Sequence, residues 1–253
     1  MEHIGKHALV TGGGSGIGRA IAEALADAGA EVTITGRRAE VLEEAARGSK
    51  RLHPLIMDVT DAASVRDGIA AAVAERGPVA ICVANAGIAE GGPFLKLSLR
   101  DWRQTMTTNL DGVFLTFQAA LQSLPEDVPG RYIVVSSIAG VRGLKNAIPY
   151  TASKHGVIGL IHGLSEEFMF KRPVTFNALC PGYVDTDIVH NQLPGLMRRF
   201  DVDRDGAEAI IAKGNRHKRL LQVDETTAAA MWLCSDAARS VNGQSIQIAG
   251  GQV

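Results

Sequence analysis

Eight residues near the start of the chain, Thr11-Gly12-Gly13-Gly14-Ser15-Gly16-Ile17-Gly18, constrain its fold more than any other stretch. They follow a short apolar run at 7–11. They precede a segment in which Ile17, Ala20, Ile21, Ala24, Leu25 and Ala28 recur every three or four residues. That order reads as a strand, a glycine turn and an amphipathic helix. Without Cβ atoms such a turn can adopt positive φ and let a pyrophosphate approach the backbone closely. The helix behind it aims free N–H groups and the positive end of its dipole at that anion. The spacing Gly12-x3-Gly16-x-Gly18 contains no GxGxxG, and the stretch lacks the Lys-Ser/Thr of a P-loop. Taken alone it is a glycine-rich turn. Its place between strand and helix, at the first βα turn, points to a nucleotide site.

The rest of the chain repeats the pattern. Apolar runs at 7–11, 31–35, 52–58, 79–84, 131–136, 174–179 and 245–248 predict strands, most of them buried on both faces. Segments of helical period lie between them, near 38–47, 62–75, 100–124, 151–170 and 224–235. This alternation predicts an α/β fold: a doubly wound parallel sheet with right-handed crossovers. No linker or internal repeat divides it, so residues 1–253 are expected to form one domain. The segment 188–220 breaks the rhythm with charges of both signs, Pro194, Gly195, Gly206 and Gly214. An irregular insertion of that length predicts a helical substrate-binding loop or lid.

Composition removes several function classes. Lys plus Arg number 26 against 27 Asp plus Glu, so the chain has no global field for nucleic acid. No stretch approaches the ~18–20 apolar residues that span a bilayer, and the opening MEHIGKHALVTGGG lacks an apolar signal core. Cys82, Cys180 and Cys234 are an odd, scattered set, which suits small buried hydrophobes in a reduced, cytoplasmic protein. His155 and His162 share a predicted helix but lack any supporting ligand cluster, so no metal site is expected. Trp102, Phe114, Phe117, Met231 and Trp232 fall on predicted helices and read as core or subunit contacts.

The second strand ends Ile34-Thr35-Gly36-Arg37-Arg38, where a carboxylate would suit a ribose 2′-hydroxyl and a basic residue a 2′-phosphate. Arginine forms forked, charge-assisted pairs with phosphate, so NADP(H) is favoured, with NAD(H) possible. Asp58, ending the third strand, is placed either to accept a hydrogen bond from an adenine amino group or to cap the next turn.

Tyr150 and Lys154 are four residues apart and share a helix face. Free tyrosine has a pKa of about 10, too high for a base near neutrality. A cation about 4 Å away at an effective dielectric near 20 supplies roughly 4 kcal/mol, enough to lower it by two to three units. Lys154 is therefore expected to depress Tyr150. Ser136 and Ser137 lie where the fifth strand ends, at the edge of an open sheet where ligands bind.

These motifs together resemble the short-chain dehydrogenase/reductase family. The resemblance covers essentially the whole chain, with the motifs in order: the TGxxxGxG turn at 11–18, Asn85-Ala86-Gly87, Asn109, Ser137, Tyr150 with Lys154, and Pro181-Gly182 with Thr186 nearby. Ser137 stands thirteen residues before Tyr150, a spacing that looks like the family's and selects it over Ser136. Ala84 replaces the first Asn of the usual NNAG. The resemblance implies Tyr150 as general acid/base and Ser137 as hydrogen-bond partner of the substrate oxygen. Lys154 would bind the nicotinamide ribose and tune the tyrosine, and the Asn109 carbonyl would hold a water in a relay with Lys154. It implies cofactor contacts from Gly12, Ser15, Gly16, Ile17, Gly18, Asp58, Val59, Asn85, Ala86, Gly87, Pro181 and Gly182. Val184 and Thr186 would lie by the carboxamide. The closing segment 242–253 resembles the family's last strand and tail, which commonly contribute to a homotetramer.

The expected activity interconverts a ketone and a secondary alcohol. One candidate substrate is a 3-oxoacyl thioester, because residues 196–219 carry seven basic side chains against four acids. The cluster Arg216-His217-Lys218-Arg219 could attract carrier phosphates. The alternatives are a small or cyclic ketone, or a non-catalytic dinucleotide sensor on the same fold.

Overall fold

The protein is described by a computed structural model covering residues 2–252. Seven parallel strands form one sheet in the order β3-β2-β1-β4-β5-β6-β7. They are β1 (His7–Thr11), β2 (Glu31–Gly36), β3 (Leu52–Ile56), β4 (Val79–Ala84), β5 (Gly130–Val135), β6 (Val174–Pro181) and β7 (Ser245–Ile248). The strand order reverses between β1 and β4, so their carboxyl ends open a crevice there, the usual ligand position in such sheets. β1, β4, β5 and β6 are buried on both faces, as their unbroken apolar runs require. β3 lies at the edge, with only Leu52 buried and the rest partly or fully exposed.

Helices α1 (Gly16–Asp27), α2 (Ala39–Ala46) and α10 (Val223–Cys234) cover one face. There Ile21 and Leu25 of α1 pack with Val10, Ile34 and Leu233. Helices α3 (Ala62–Arg76), α4 (Leu99–Met106), α5 (Gly112–Ser123) and α6 (Ile148–Phe168) lie toward the other. That core holds an aromatic group in which Tyr132 stands 5.5 Å from Phe117 and 5.4 Å from Phe176, ring centre to ring centre. The Tyr132 hydroxyl is satisfied by the Val79 carbonyl at 3.2 Å.

The sequence predicts one helix over 100–124. The structure instead has α4 and α5 joined by a π-helical turn, Thr107–Asp111. A π turn keeps the chain helical, so a sequence read for helix content passes over it. The catalytic-side helix α6 begins at Ile148, three residues before the expected 151, because Pro149 suits a first helical turn. The third strand stops at Ile56, two residues short of the expected end.

The insertion is helical, as expected, with α7 (Asp187–His190), α8 (Leu193–Phe200) and α9 (Arg204–Ala212). It has its own small core of Val189, Leu193, Ala207, Ile211, Ala212 and Leu220. A parallel bridge between Val184 and Leu221 closes its base. Asp185 N–H donates to the Leu221 carbonyl at 2.8 Å, and Leu221 N–H to the Tyr183 carbonyl at 2.9 Å. The Asn215 side chain reinforces this closure through both backbone groups of Tyr183 and the Arg219 carbonyl.

Candidate active site

The glycine turn is held from behind. Asn85 donates its side-chain amide to the Thr11 and Gly12 carbonyls at 3.0 and 3.2 Å. Thr11, buried at the end of β1, accepts the backbone N–H groups of Asn85 and Ala86 on its hydroxyl at 3.0 and 3.1 Å. Gly12 has φ +65° and Gly16 φ +53°, conformations that other L-residues rarely adopt. At Gly18 a Cβ would fall 2.3 Å from the Asn85 amide and 2.4 Å from the Gly12 carbonyl, so helix and turn approach as closely as they do only through glycine. Gly18 therefore packs rather than faces the crevice. Ser15 caps α1 by backbone alone, with no side-chain hydrogen bond. That leaves first-turn N–H groups of α1 available to an anion.

Beside the turn lies a cavity of about 230 Å³ lined by Ser15, Arg37, Arg38, Asp58, Val59 and Ala86, among others. Both arginines are exposed at its rim. Of the two roles left open for it, Asp58 takes the cap. It accepts the Thr60 N–H and hydroxyl at 2.9 and 2.8 Å, capping the turn, and it lines the cavity. Burial disfavours its charge, but the two Thr60 bonds and the Arg37 guanidinium outweigh that and hold its pKa below the ordinary value.

A larger cavity of about 740 Å³ opens over the carboxyl ends of β4, β5 and β6. Ser137, Tyr150 and Lys154 share its wall with Ile17, Asn85 and Gly87, and with Pro181, Gly182, Val184 and Thr186. Ser137 follows β5 and caps a short 3-10 turn, accepting the Ala139 N–H at 3.1 Å. Ser136 also borders the cavity, but its hydroxyl is engaged, donating to the Lys154 carbonyl at 3.2 Å. Lys154 is buried, and its ammonium donates to the Val135 carbonyl at 2.8 Å and stands 5.6 Å from the Tyr150 ring centre. A Cβ on Gly87 would come within 3.3 Å of Asn109 Oδ1 and 3.6 Å of Lys154 Nζ, so this loop also needs a small residue.

Asn109 lies behind that wall, buried on the π-helical turn. Its side chain accepts the Ile88 N–H and donates to the Ile88 carbonyl, both at 2.9 Å, and donates to Ser153 of α6 at 3.1 Å. It thus ties the loop after β4 to the helix that carries Tyr150 and Lys154. The role of Ser153 in this tie is not visible in the sequence.

The electrostatics differ from the expectation that Lys154 depresses Tyr150. Burial raises the Tyr150 pKa, against a lowering contribution from the Ser137 hydroxyl. Burial also pulls Lys154 from 10.5 down to about 8. The Lys154 ammonium is engaged by the Val135 carbonyl, and desolvation of the phenol dominates at Tyr150. The protein's own groups therefore hold Tyr150 as the protonated phenol.

The basic cluster at 216–219 does not line the cavity. Arg219 is held by Glu225 in a two-pronged pair at 2.6 and 3.0 Å, and Arg216 reaches the Gly251 carbonyl at 3.5 Å. The cations that do line it, apart from Lys154, are Lys145, which the sequence did not single out, and Arg199, one of the seven basic residues of 196–219. His155 bonds the Thr151 carbonyl of its own helix, and His162 is exposed. Among the described residues no helix is long and apolar enough to cross a membrane.

The donors and space around the glycine turn fit a dinucleotide: free N–H groups, a backbone stripped of Cβ atoms, and cations beside a carboxylate. Known proteins agree. The family model described as short chain dehydrogenase matches residues 6–196. Gluconate 5-dehydrogenase of Gluconobacter oxydans is 34% identical over 251 residues, spanning 98% of this chain and 94% of that protein. A 3-oxoacyl-acyl-carrier-protein reductase of Escherichia coli is 33% identical over 254 residues, spanning 99% and 98%. A solved actinorhodin polyketide ketoreductase variant with NADPH superposes with a TM-score of 0.93 at 31% identity, covering 98% of this chain and 97% of that one. With the sheet order, the glycine turn and the Ser137, Tyr150 and Lys154 wall in place, the chain belongs to the short-chain dehydrogenases, oxidoreductases that interconvert a ketone and an alcohol with a nicotinamide dinucleotide.

Proposed function

We propose that the protein is an NADP(H)-preferring oxidoreductase in which Tyr150 exchanges a proton with the substrate oxygen. The observation that carries this reading is the shared wall of one cavity, where Ser137, Tyr150 and Lys154 converge beside Ile17, Asn85 and Thr186. The glycine turn of Gly12, Ser15, Gly16 and Ile17 would receive the pyrophosphate, with Gly18 letting helix and turn pack closely behind it. Arg37 and Arg38 would take the 2′-phosphate, and Asp58 and Val59 the adenine. Asn85, Ala86 and Gly87 would flank the nicotinamide ribose with Lys154, and Pro181, Gly182, Val184 and Thr186 the carboxamide end. When bound, the nicotinamide ring supplies the hydride, or accepts it in the reverse direction.

The chain's own residues handle the proton. The Tyr150 hydroxyl donates to the carbonyl oxygen of a ketone, and Ser137 donates a second hydrogen bond to the same oxygen. Burial raises the Tyr150 pKa, so the hydroxyl carries the proton that the reduction consumes. Lys154, titrating at about 8, carries a proton at neutral pH that can restore the phenol. Asn109 keeps the helix of Tyr150 and Lys154 in register with the loop after β4, and its carbonyl would hold the relay water.

For substrate, we favour a 3-oxoacyl thioester or another charged oxo compound, in line with the acyl-carrier-protein reductase and gluconate dehydrogenase among the relatives. A small or cyclic ketone is the second reading, favoured by the absence of Arg216, Lys218 and Arg219 from the cavity wall. We place the enzyme in the cytoplasm as a homotetramer, acting on a small molecule and not on nucleic acid or membrane. Three buried thiols and the half-exposed Phe114 and Trp232 support this. The test is NADPH consumption against a panel of free ketones and acyl thioesters. No oxidation with any member would overturn the reading.

A further inference from the structure

The wall of the larger cavity is apolar where it widens toward the lid, with Ile88, Leu144, Ile188, Val189 and Leu196. Besides the buried Lys154, three charged side chains line it: Glu90 on the loop after β4, Lys145 on the loop before α6, and Arg199 on α8 of the lid. Lys145 and Arg199 approach from two different segments. Neither has a carboxylate within ion-pair distance among the described residues, so no protein group competes for them at the wall. The Arg199 guanidinium lies 5.2 Å from the centre of the Phe200 ring. Such stacking orients the planar group and leaves its N–H edge for an oxyanion. The cofactor's phosphates do not explain the pair, since the glycine turn and Arg37 belong to the neighbouring cavity.

We propose that Arg199 and Lys145 bind an anionic oxygen group, a carboxylate or a phosphate, on the substrate whose carbonyl meets Ser137 and Tyr150. The inference rests on the function proposed above for that same cavity and adds the class of substrate: an oxo or hydroxy compound with a negative charge at its far end. The apolar residues of the same wall suit the carbon part of such a substrate. Glu90, the lone acid of the wall, opposes the anion and limits the preference.

The experiment measures binding separately from turnover. The probes are two pairs that differ in charge: 4-oxopentanoate with its methyl ester, and acetoacetyl-coenzyme A with acetoacetyl-N-acetylcysteamine. Calorimetric titration into the full-length protein gives the affinity ratio of anion to neutral partner. The wild type should favour the anion of at least one pair by about tenfold, the scale of one charge-assisted contact. Arg199→Gln should cut that ratio about tenfold, with Arg199→Lys restoring part of it, and Lys145→Gln should act in the same direction. Glu90→Gln should raise the ratio. Arg216→Gln, a lid cation outside the cavity, should leave it as it is. Preference in the first pair identifies a free carboxylate, and preference in the second a carrier phosphate. Equal affinities within both pairs, failure to detect binding of any of the four, or a ratio untouched by Arg199→Gln overturns the proposal. Turnover of the same compounds with NADPH tests the reaction itself. Anion preference without turnover would reject the reaction and retain the anion site.

Discussion

Lys154 and Val135 are joined by a 2.8 Å hydrogen bond from ammonium to carbonyl that ties the helix of Tyr150 to the end of the strand leading to Ser137. The bond holds a buried charge whose pKa has fallen from 10.5 to about 8. Since the folded value lies below the unfolded one, the unfolded chain binds more protons between pH 8 and 10.5, and stability rises across that window. Below pH 8 the buried ammonium costs stability, at most about 3 kcal/mol for a shift of this size. Lys154→Met should therefore raise the melting temperature at pH 7. The net gain should be about 2 kcal/mol once the lost Val135 bond is subtracted. The gain should vanish above pH 10.5, and thermal unfolding at the two pH values checks it. Turnover should fall, and the fall in wild-type reduction above pH 8 should shift to higher pH in the residual activity. An unchanged profile would remove Lys154 from the proton path.

Tyr150→Phe removes the proton and keeps the ring. Turnover should drop by about 10²–10⁴, the usual contribution of a positioned acid, with nucleotide affinity within a factor of a few. Steady-state rates and fluorescence titration with NADPH separate the two. Activity close to wild type would mean that another group protonates the substrate.

Arg37→Ala should weaken NADPH much more than NADH, because only the former brings a 2′-phosphate to the Arg37 side of the cavity. A charge-assisted hydrogen bond of about 1.5–3 kcal/mol corresponds to roughly 10- to 150-fold. Tighter binding of NADH than NADPH by the wild type would refute the assignment of this rim.

Thr11→Val keeps shape and deletes the hydroxyl that accepts two N–H groups. Both donors would be left unpaired beside the glycine turn. Each such loss costs about 1–3 kcal/mol, so urea denaturation should report about 2–6 kcal/mol in total. A loss under 1 kcal/mol would show that water replaces the hydroxyl.

Much of this was legible in the sequence because it depends on local pattern. Strands such as His7–Thr11, Val79–Ala84 and Ser245–Ile248 begin and end where their apolar runs do. Glycine spacing placed the turn, and a thirteen-residue interval selected Ser137 over Ser136. What escaped depends on depth and on partners far apart in the chain. The Tyr150 pKa is set by burial, which four-residue spacing does not measure. Ser153 meets Asn109 across 44 positions. Lys145 and Arg199 line one cavity only through the fold of the helical insertion, while Arg219, conspicuous in a basic run, is neutralised by Glu225.

The closure of the lid at Val184 and Leu221 has an evolutionary consequence. A segment whose ends are stitched together and whose interior has its own core can be exchanged between relatives like a cassette, with its two splice points left hydrogen-bonded. The sheet, the glycine turn and the proton-handling residues would be inherited unchanged. The lid's contribution to substrate choice, Arg199 included, would travel with the transplanted piece. Divergence in this lineage therefore need not pass through intermediates that lose the fold, and a chimaera joined at 184 and 221 is the natural unit for changing what the enzyme accepts.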